Sequence, residues 1–337
     1  MADGPRLRLA RHERAAEIVA RRSQGLAALR AHFADDGFLE ADVPVLLPHA
    51  GQEPHLHPPR VDMTGLPGPL WLQTSPELCL KRLVCAGLPR IYALGPAFRG
   101  GREELSDEHQ PEFTMLEWYE PGSQVDLAVA RCRRIARAVA GGLSVEAPGD
   151  GRVLGLDEAL REFAGVDLEP LLDGDRAGFV ASAERAGLSL RPQDEYDALL
   201  GRVLVERVEP ALRAQTQGEW IFVHGYPASQ AALAQLDPAD PRKALRVEAY
   251  LGGVELANGY VELADADEQR RRWEREADQR DAPAPARDEG LLAELAEPGL
   301  PPTVGMALGV ERLLMALLGA TRLEDVRPFH LHLDEDA

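Results

Sequence analysis

Apolar residues change their period along the chain, and the changes mark its elements. Between residues 6 and 36, Ala15, Ile18, Val19, Leu26, Leu29 and Phe33 recur at helical spacing, which predicts one long helix closed by Gly37. Phe38 to Leu46 reads as extended, with Pro44 inside it, and the proline- and glycine-rich residues 48–69 read as loop. Trp71-Leu72-Gln73 predicts a short strand. Ser75 suits an N-cap and Pro76 a first turn, so a helix is expected over Leu78 to Ala86, stopped by Gly87. The apolar run Ile91, Tyr92, Ala93, Leu94 leads to Phe98-Arg99, and a second run of strand formers spans Glu112 to Tyr119. Between them lies a glycine-rich, charged stretch. The pattern predicts two antiparallel strands joined by a loop of about ten residues, longer than hairpin loops usually are.

Further along, Val125, Leu127, Ala128, Ile135 and Val139 predict a helix over 123–141. Residues 142–216 read as helical and loop-like, and 219–223 as a strand. Residues 244–264 predict a second hairpin with Gly252-Gly253 at its turn. A charged helix over 265–280, a helix at 288–296 within a proline-rich stretch, and a strand running into a helix at 305–314 complete the reading.

Composition narrows the function. The net charge is −19, and Lys81 and Lys243 are the only lysines. Such an acidic chain is a poor match for non-specific nucleic-acid binding, which relies on neutralising phosphates. It contains no run of about twenty apolar residues that would predict a membrane span. Its charged N-terminus does not read as a secretory signal. Cys79, Cys85 and Cys132 have no metal-type spacing, and their odd count is no disulfide framework. The expected setting is a cytoplasm with reduced thiols.

Several residues point to chemistry. Arg99 and His109 stand at opposite ends of the long loop, where an anion would be clamped. Phe113, four residues past His109, offers a ring face. Glu248 and Glu255 are seven residues apart across the Gly252-Gly253 turn. Facing strands would bring both carboxylates to one cation, as Mg²⁺ is held by carboxylates together with phosphate oxygens. Asn258, Tyr260 and Glu262 alternate and so share a face. His49, His55 and His57 are too irregularly spaced for a zinc motif. Gly305 and Gly309 permit close backbone approach. Neither a dinucleotide fingerprint nor a P-loop is present.

Phe98-Arg99, a loop, then His109 and Phe113 resembles motif 2 of the class II aminoacyl-tRNA synthetases. Glu112-Phe113-Thr114-Met115-Leu116-Glu117-Trp118-Tyr119 is similar to the lysine branch, most of all to its short paralogues that ligate β-lysine to translation elongation factor P. The leading helix with the Pro44 strand resembles motif 1, the dimer-forming element, and Gly305 to Leu314 resembles motif 3. Tyr226 to Gln230 and the run Glu255 to Glu262 also match the family's pattern.

The resemblance implies an α+β class II catalytic fold, an antiparallel sheet flanked by helices. It forms one domain over 1–337 with a helical insertion at about 142–216. It implies ATP and Mg²⁺ as cofactors. Arg99 would take the α-phosphate, His109 the terminal phosphate region, and Phe113 and Arg312 the two faces of adenine. Glu103, Gln110 and Gly309 would complete ATP binding, with Glu248 and Glu255 holding Mg²⁺. Glu77, Glu117 and Glu262 would surround the ammonium groups of lysine or β-lysine, with Tyr119, Asn258, Tyr260 and Ala307 shaping the pocket. The acceptor implied is elongation factor P. An anticodon-binding barrel is expected to be absent, a homodimer on residues 6–47 is expected, and stable tRNA binding is not.

The sequence departs from the family between Arg99 and His109. The interval is longer, Gly100-Gly101-Arg102 intervenes before Glu103-Glu104, and Asp107-Glu108 replaces an arginine before the histidine. Arg102 is the candidate substitute for that lost phosphate ligand, and Gln110 stands where asparagine is usual. Two further readings stay open: a lysine-activating ligase for tRNA or another amine, and a synthetase-like regulatory module without full catalysis.

Overall fold

The structure is a computed structural model that describes residues 6–9, 12–101, 104–191, 194, 196–215, 218–280 and 285–332. In chain order they form β1 (Arg6–Leu9), α1 (Ala15–Asp35), β2 (Leu39–Glu40), β3 (Leu46–Leu47), β4 (Arg60–Val61), β5 (Leu70–Leu72), α2 (Glu77–Cys85), β6 (Ile91–Phe98), β7 (Glu112–Pro121), α3 (Asp126–Leu143) and β8 (Arg152–Gly155). Then come α4 (Leu156–Ala159), α5 (Glu169–Leu172), α6 (Arg176–Arg185), α7 (Tyr196–Val203), α8 (Glu209–Gln215), β9 (Trp220–His224), β10 (Arg246–Leu251) and β11 (Val254–Val261). The last are α9 (Ala266–Asp278), α10 (Glu289–Ala296), β12 (Thr303–Gly309), α11 (Val310–Leu318) and β13 (Phe329–His332). The helices and the largely antiparallel strand pairing give an α+β fold. The chain divides into two compact units. The first comprises Met1–Pro121, Arg134–Ala147 and Ala264–Ala337, and the second Gly122–Arg133 and Pro148–Leu263.

In the first unit the strands run β2-β6-β7-β12; β2 is parallel to β6 and the other pairs are antiparallel. The helix expected from residue 6 begins only at Ala15. Arg6–Leu9 instead pair antiparallel with β13, Leu9 opposite Phe329. That partner lies at the far end of the chain, so no local pattern announces the strand. On α1, Ile18, Leu29 and Phe33 are buried, while Val19 is exposed. Phe33 stacks on Tyr92 with centroids 4.4 Å apart. A Cβ at Gly25 would lie 2.7 Å from Leu314 Cδ2, so α1 and α11 approach closely there. Glu311 ties three elements together: it accepts from the Thr114 backbone N–H (2.9 Å) and from Arg22 (2.9 Å). A second core joins Leu80 and Val84 of α2 to Ile91, Tyr119, Trp273 and Leu291. α2 starts at Glu77 rather than Leu78, and Ser75 Oγ accepts the Glu77 backbone N–H (3.1 Å).

In the second unit the strands run β11-β10-β9-β8, with β8 parallel to β9 and the other pairs antiparallel. The predicted hairpin is present. Gly252 and Gly253 have φ of 60° and 77°, the left-handed pair that a tight two-residue turn requires. Helices α4 to α8 pack their apolar sides into one core around Leu160, Leu171, Phe179, Leu199 and Val203.

Candidate active site

The register of the first unit's sheet builds a floor of small residues. Alternation puts Phe113, Met115, Glu117 and Tyr119 on one face of β7. Opposite them stand Ala97, Gly95, Ala93 and Ile91 on β6, and Gly309, Ala307 and Gly305 opposite the last three on β12. Cross-strand partners share a face, so Glu117 rises between two alanines. A Cβ at Gly95 would meet no heavy atom within 4 Å, so this face has open space.

Glu117 is 2% exposed. Tyr119 donates its hydroxyl to Oε1 (2.6 Å), and Ser75 donates to Oε2. A buried carboxylate must be hydrogen-bonded, and these two donors also fix its direction. Glu77 is differently placed. Its Oε1 lies 2.6 Å from Nζ of Lys81 one helical turn on, and Lys81 is 1% exposed. One of the chain's two lysines thus balances an acid that sequence reasoning assigns wholly to substrate.

Arg99, His109, Phe113 and Arg312 also lie in this unit. The backbone N–H of Arg99 bonds to Pro111 O (2.9 Å) and closes the loop neck. Its guanidinium sits 5.2 Å from the Phe113 ring centre, and its Nε is buried with no hydrogen-bond partner. Such an orphaned donor fits an anion. Arg312 donates to His109 Nε2 (2.5 Å), while Nδ1 lies 3.1 Å from Ser106 Oγ. Burial, then the nearby positive charges of Arg312 and Arg99, holds His109 below its ordinary pKa. It is therefore neutral near pH 7, with the proton on Nδ1 facing Ser106. Motifs 2 and 3 meet at this contact. Gln110 turns instead to β13, which it anchors: its amide donates to Leu331 O (3.2 Å) and accepts from Leu331 N–H (2.7 Å). Gly309 is the N-cap of α11. Glu103 and Arg102 lie outside the described residues.

Glu53 belongs to no motif, and no pattern in the sequence marks it. Its Oε2 is buried without a hydrogen-bond partner, and Arg280 clamps the loop around it through the carbonyls of Gly51 (3.2 Å), Gln52 (3.3 Å) and Glu53 itself (2.6 Å). Burial, then repulsion by Glu77, raises the Glu53 pKa.

The second unit carries Glu248, Glu255, Asn258, Tyr260 and Glu262. Glu248 stands opposite Asn258, and Arg246 opposite Tyr260. The two-residue turn pairs Leu251 with Val254 and Tyr250 with Glu255, and a bulge between Tyr250 and Ala249 then shifts the register. Tyr250 is two residues from Glu248 on β10, so both acids share one face, and the bulge, with Leu256 as its extra residue, turns Asn258 to that same face. Glu248 Oε2 accepts from Tyr226 (2.6 Å) and Tyr250 (2.6 Å), and Oε1 pairs with Arg246. Burial first, then Glu248, pushes both tyrosines well above the ordinary phenol range. Asn258 donates to Tyr260 (3.0 Å) and accepts from Arg246 (3.2 Å). Glu262 is 1% exposed, with its backbone carbonyl bonded by Gln235 (2.9 Å). Two hard oxygen donors on one face, one oriented by tyrosine hydroxyls as metal ligands usually are, fit Mg²⁺. Arg246 and Tyr250 are not singled out in the sequence, although each stands two residues from Glu248 on one strand, where alternation puts all three on one face.

A family model described as tRNA synthetases class II (D, K and N) matches residues 4–332. The chain belongs to the class II tRNA synthetases. Among the relatives of this synthetase are proteins named elongation factor P–(R)-β-lysine ligase. The one from Haemophilus influenzae (strain PittGG) is 35% identical over 316 residues, 92% of this chain and 93% of the relative. Those from Pectobacterium carotovorum subsp. carotovorum (strain PC1) and Proteus mirabilis (strain HI4320) are 37% and 38% identical. They cover 92% and 90% of the synthetase described here, and 93% and 92% of their own lengths. Class II synthetases as a family use ATP with Mg²⁺, and the residues described above suit both.

Proposed function

We propose that this class II synthetase activates (R)-β-lysine or lysine with ATP and transfers the acyl group to a lysine side chain of translation elongation factor P. The relatives named for that ligation span nine-tenths or more of the chain. The observation that carries the reading is Glu117: buried, oriented by Ser75 and Tyr119, and rising from a floor of alanine and glycine. A ligand ammonium is the natural complement to such a carboxylate.

In the first step a substrate carboxylate oxygen attacks the α-phosphorus. The bond to pyrophosphate breaks and an acyl-adenylate forms. The carboxylate is already ionised, so catalysis is positioning and charge stabilisation. Arg99 holds the α-phosphate, with its orphaned Nε as one donor. Neutral His109 donates to the terminal phosphates from Nδ1, giving up Ser106. Phe113 and Arg312 take adenine by stacking and cation–π contact. Glu117, Glu77 and Glu262 read the ammonium groups, with Tyr119, Asn258 and Tyr260 adding hydrogen bonds and shape. Glu248 and Glu255 hold Mg²⁺, which when bound neutralises phosphate charge. In the second step the acceptor amine attacks the acyl carbon, AMP leaves with the bonding pair, and an amide forms with release of a proton. The acidic chain disfavours tRNA as acceptor, and the cytoplasm is the proposed location.

The test is pyrophosphate exchange with each lysine isomer, followed by intact mass of purified elongation factor P and acid-precipitable label on tRNA. A mass gain on the factor without tRNA charging is expected. Efficient tRNA charging with no gain on the factor would favour the tRNA ligase. No exchange with either isomer would favour a non-catalytic module.

A further inference from the structure

We propose that Glu324, His330 and His332 form a Zn²⁺ site, separate from the residues assigned above to ATP and the amino acid. His330 and His332 are two apart on β13, so both rings leave the same face of the strand. Pairing with β1 fixes that register, with Arg8 opposite His330 and Arg6 opposite His332. The one-turn helix Leu323–Asp325 carries Glu324 to the same point. One ligand atom of each residue lies within 4.8 Å of the other two. Glu324 Oε2 is 3.7 Å from His330 Nε2, and the two Nε2 atoms are in contact.

The donor set selects the ion. Two imidazole nitrogens and one carboxylate oxygen suit Zn²⁺, which binds nitrogen at about 2.0–2.1 Å and oxygen at about 2.0–2.2 Å. Three protein ligands leave the fourth tetrahedral position to water. His330 is 7% exposed, so its Nε2 is held in a preformed direction. Arg322 opposes a cation least where it stands, because its charge is shared between Glu324 Oε1 (3.2 Å) and Asp107 (3.1 Å). Oε2 is the oxygen turned toward His330.

The site also lies under the motif 2 loop. Leu331, between the histidines, exchanges two hydrogen bonds with the Gln110 amide, and the Leu323 N–H bonds to Asp107 O (2.9 Å). An ion joining β13 to the Glu324 turn therefore braces the segment that carries His109.

The experiment is equilibrium dialysis of the chelator-stripped full chain against Zn²⁺, with metal stoichiometry, Co²⁺ absorption and thermal melting as readouts. The wild type is expected to bind one equivalent in the micromolar range or tighter, to give the intense visible bands of tetrahedral Co²⁺, and to melt higher with Zn²⁺. H332A and E324Q, both at partly exposed positions, should fold as the wild type does and bind at least about tenfold more weakly, since loss of a mere outer-shell partner already costs about 10–100-fold. Wild-type protein that stays metal-free at 100-fold molar excess overturns the proposal. Full affinity retained in the H332A/E324Q double variant also overturns it, by placing the ion elsewhere, for example at His49, His55 or His57.

Discussion

Replacing Lys81 by methionine isolates the charge balance around the first unit's acids. Lys81 is 1% exposed and pairs at 2.6 Å with Glu77, whose side chain is 13% exposed. Methionine keeps most of the apolar stem and removes the charge. Glu77 then loses its cation partner in a site where its charge already pushes up the pKa of Glu53. Breaking a buried pair by deleting one partner costs about 3–5 kcal/mol. The residual access of water to Glu77 puts the expected loss near the lower end, about 3 kcal/mol. E77Q/K81M removes both charges and should recover much of that loss, with a coupling of about 1–3 kcal/mol in the double-mutant cycle. Urea unfolding of the wild type, both single variants and the double variant measures it. If Glu77 also reads substrate, the double variant folds normally yet activates lysine poorly. A K81M loss below about 1 kcal/mol, or strictly additive single effects, would refute the reasoning.

Four further outcomes are expected. F113A and R312A should each raise the ATP concentration needed for pyrophosphate exchange while the fold is kept; unchanged ATP dependence in both removes the adenine assignment. Glu276 is pushed up to about 8, by burial first and then by Glu53. Its folded pKa thus exceeds the unfolded value, so its contribution is full below about 4.5 and is lost as pH rises toward about 8, by up to about 1.4 kcal/mol per pH unit. E276Q should flatten that decline in urea midpoints, and a wild-type midpoint climbing through this window while E276Q does not differ would contradict it. We propose a homodimer on the α1 face, where a groove of about 840 Å³ is lined by Leu7, Val19, Leu26 and Phe329; L7E/F329E should shift light-scattering mass toward the 36.8 kDa chain, and a monomeric wild type would end the idea. A307G should change the ratio of kcat/KM for the two lysine isomers by about tenfold or more, since one methyl is worth about 1–3 kcal/mol; an unchanged ratio would show that Ala307 does not set it.

Much of the fold and site is legible in sequence because it is local. The strands around Arg99 and Phe113, the Gly252-Gly253 turn, and the alternation of Asn258 and Tyr260 follow from period and turn chemistry. What stays hidden depends on partners far away in sequence. Arg6–Leu9 carry a pattern that a helix could use, and only β13 makes them a strand. The bulge between Ala249 and Tyr250 brings Asn258 opposite Glu248, yet nothing in Val254 to Val261 marks it. Seven-residue spacing alone suggests that Glu248 and Glu255 share a side; the register supplies the physical reason. Lys81 stands out in the sequence only as a compositional rarity, although its i,i+4 relation to Glu77 on a helix is visible there. Gln110 takes its expected role from its position in a motif, whereas its amide is engaged at both ends by Leu331.

The buried acids of both units share one construction. Glu117 is held by Ser75 and Tyr119, Glu77 by Lys81, and Glu248 by Tyr226, Tyr250 and Arg246. Several of these partners sit two or four residues away on the same element, so the carboxylates are aimed as soon as the local structure forms. A carboxylate oriented in this way loses little entropy when it meets an ammonium, which is what preorganisation requires. Hydroxyl donors stabilise the charge without cancelling it. Glu117 accepts from two hydroxyls, while Glu77 faces the cation of Lys81. On the proposed function, a ligand without the matching ammonium offers Glu117 no opposite charge, and apolar contact with a floor of alanine and glycine would replace little of that interaction. The proposed selectivity for a diamino acid would then rest more on rejecting neutral side chains than on fitting a long one.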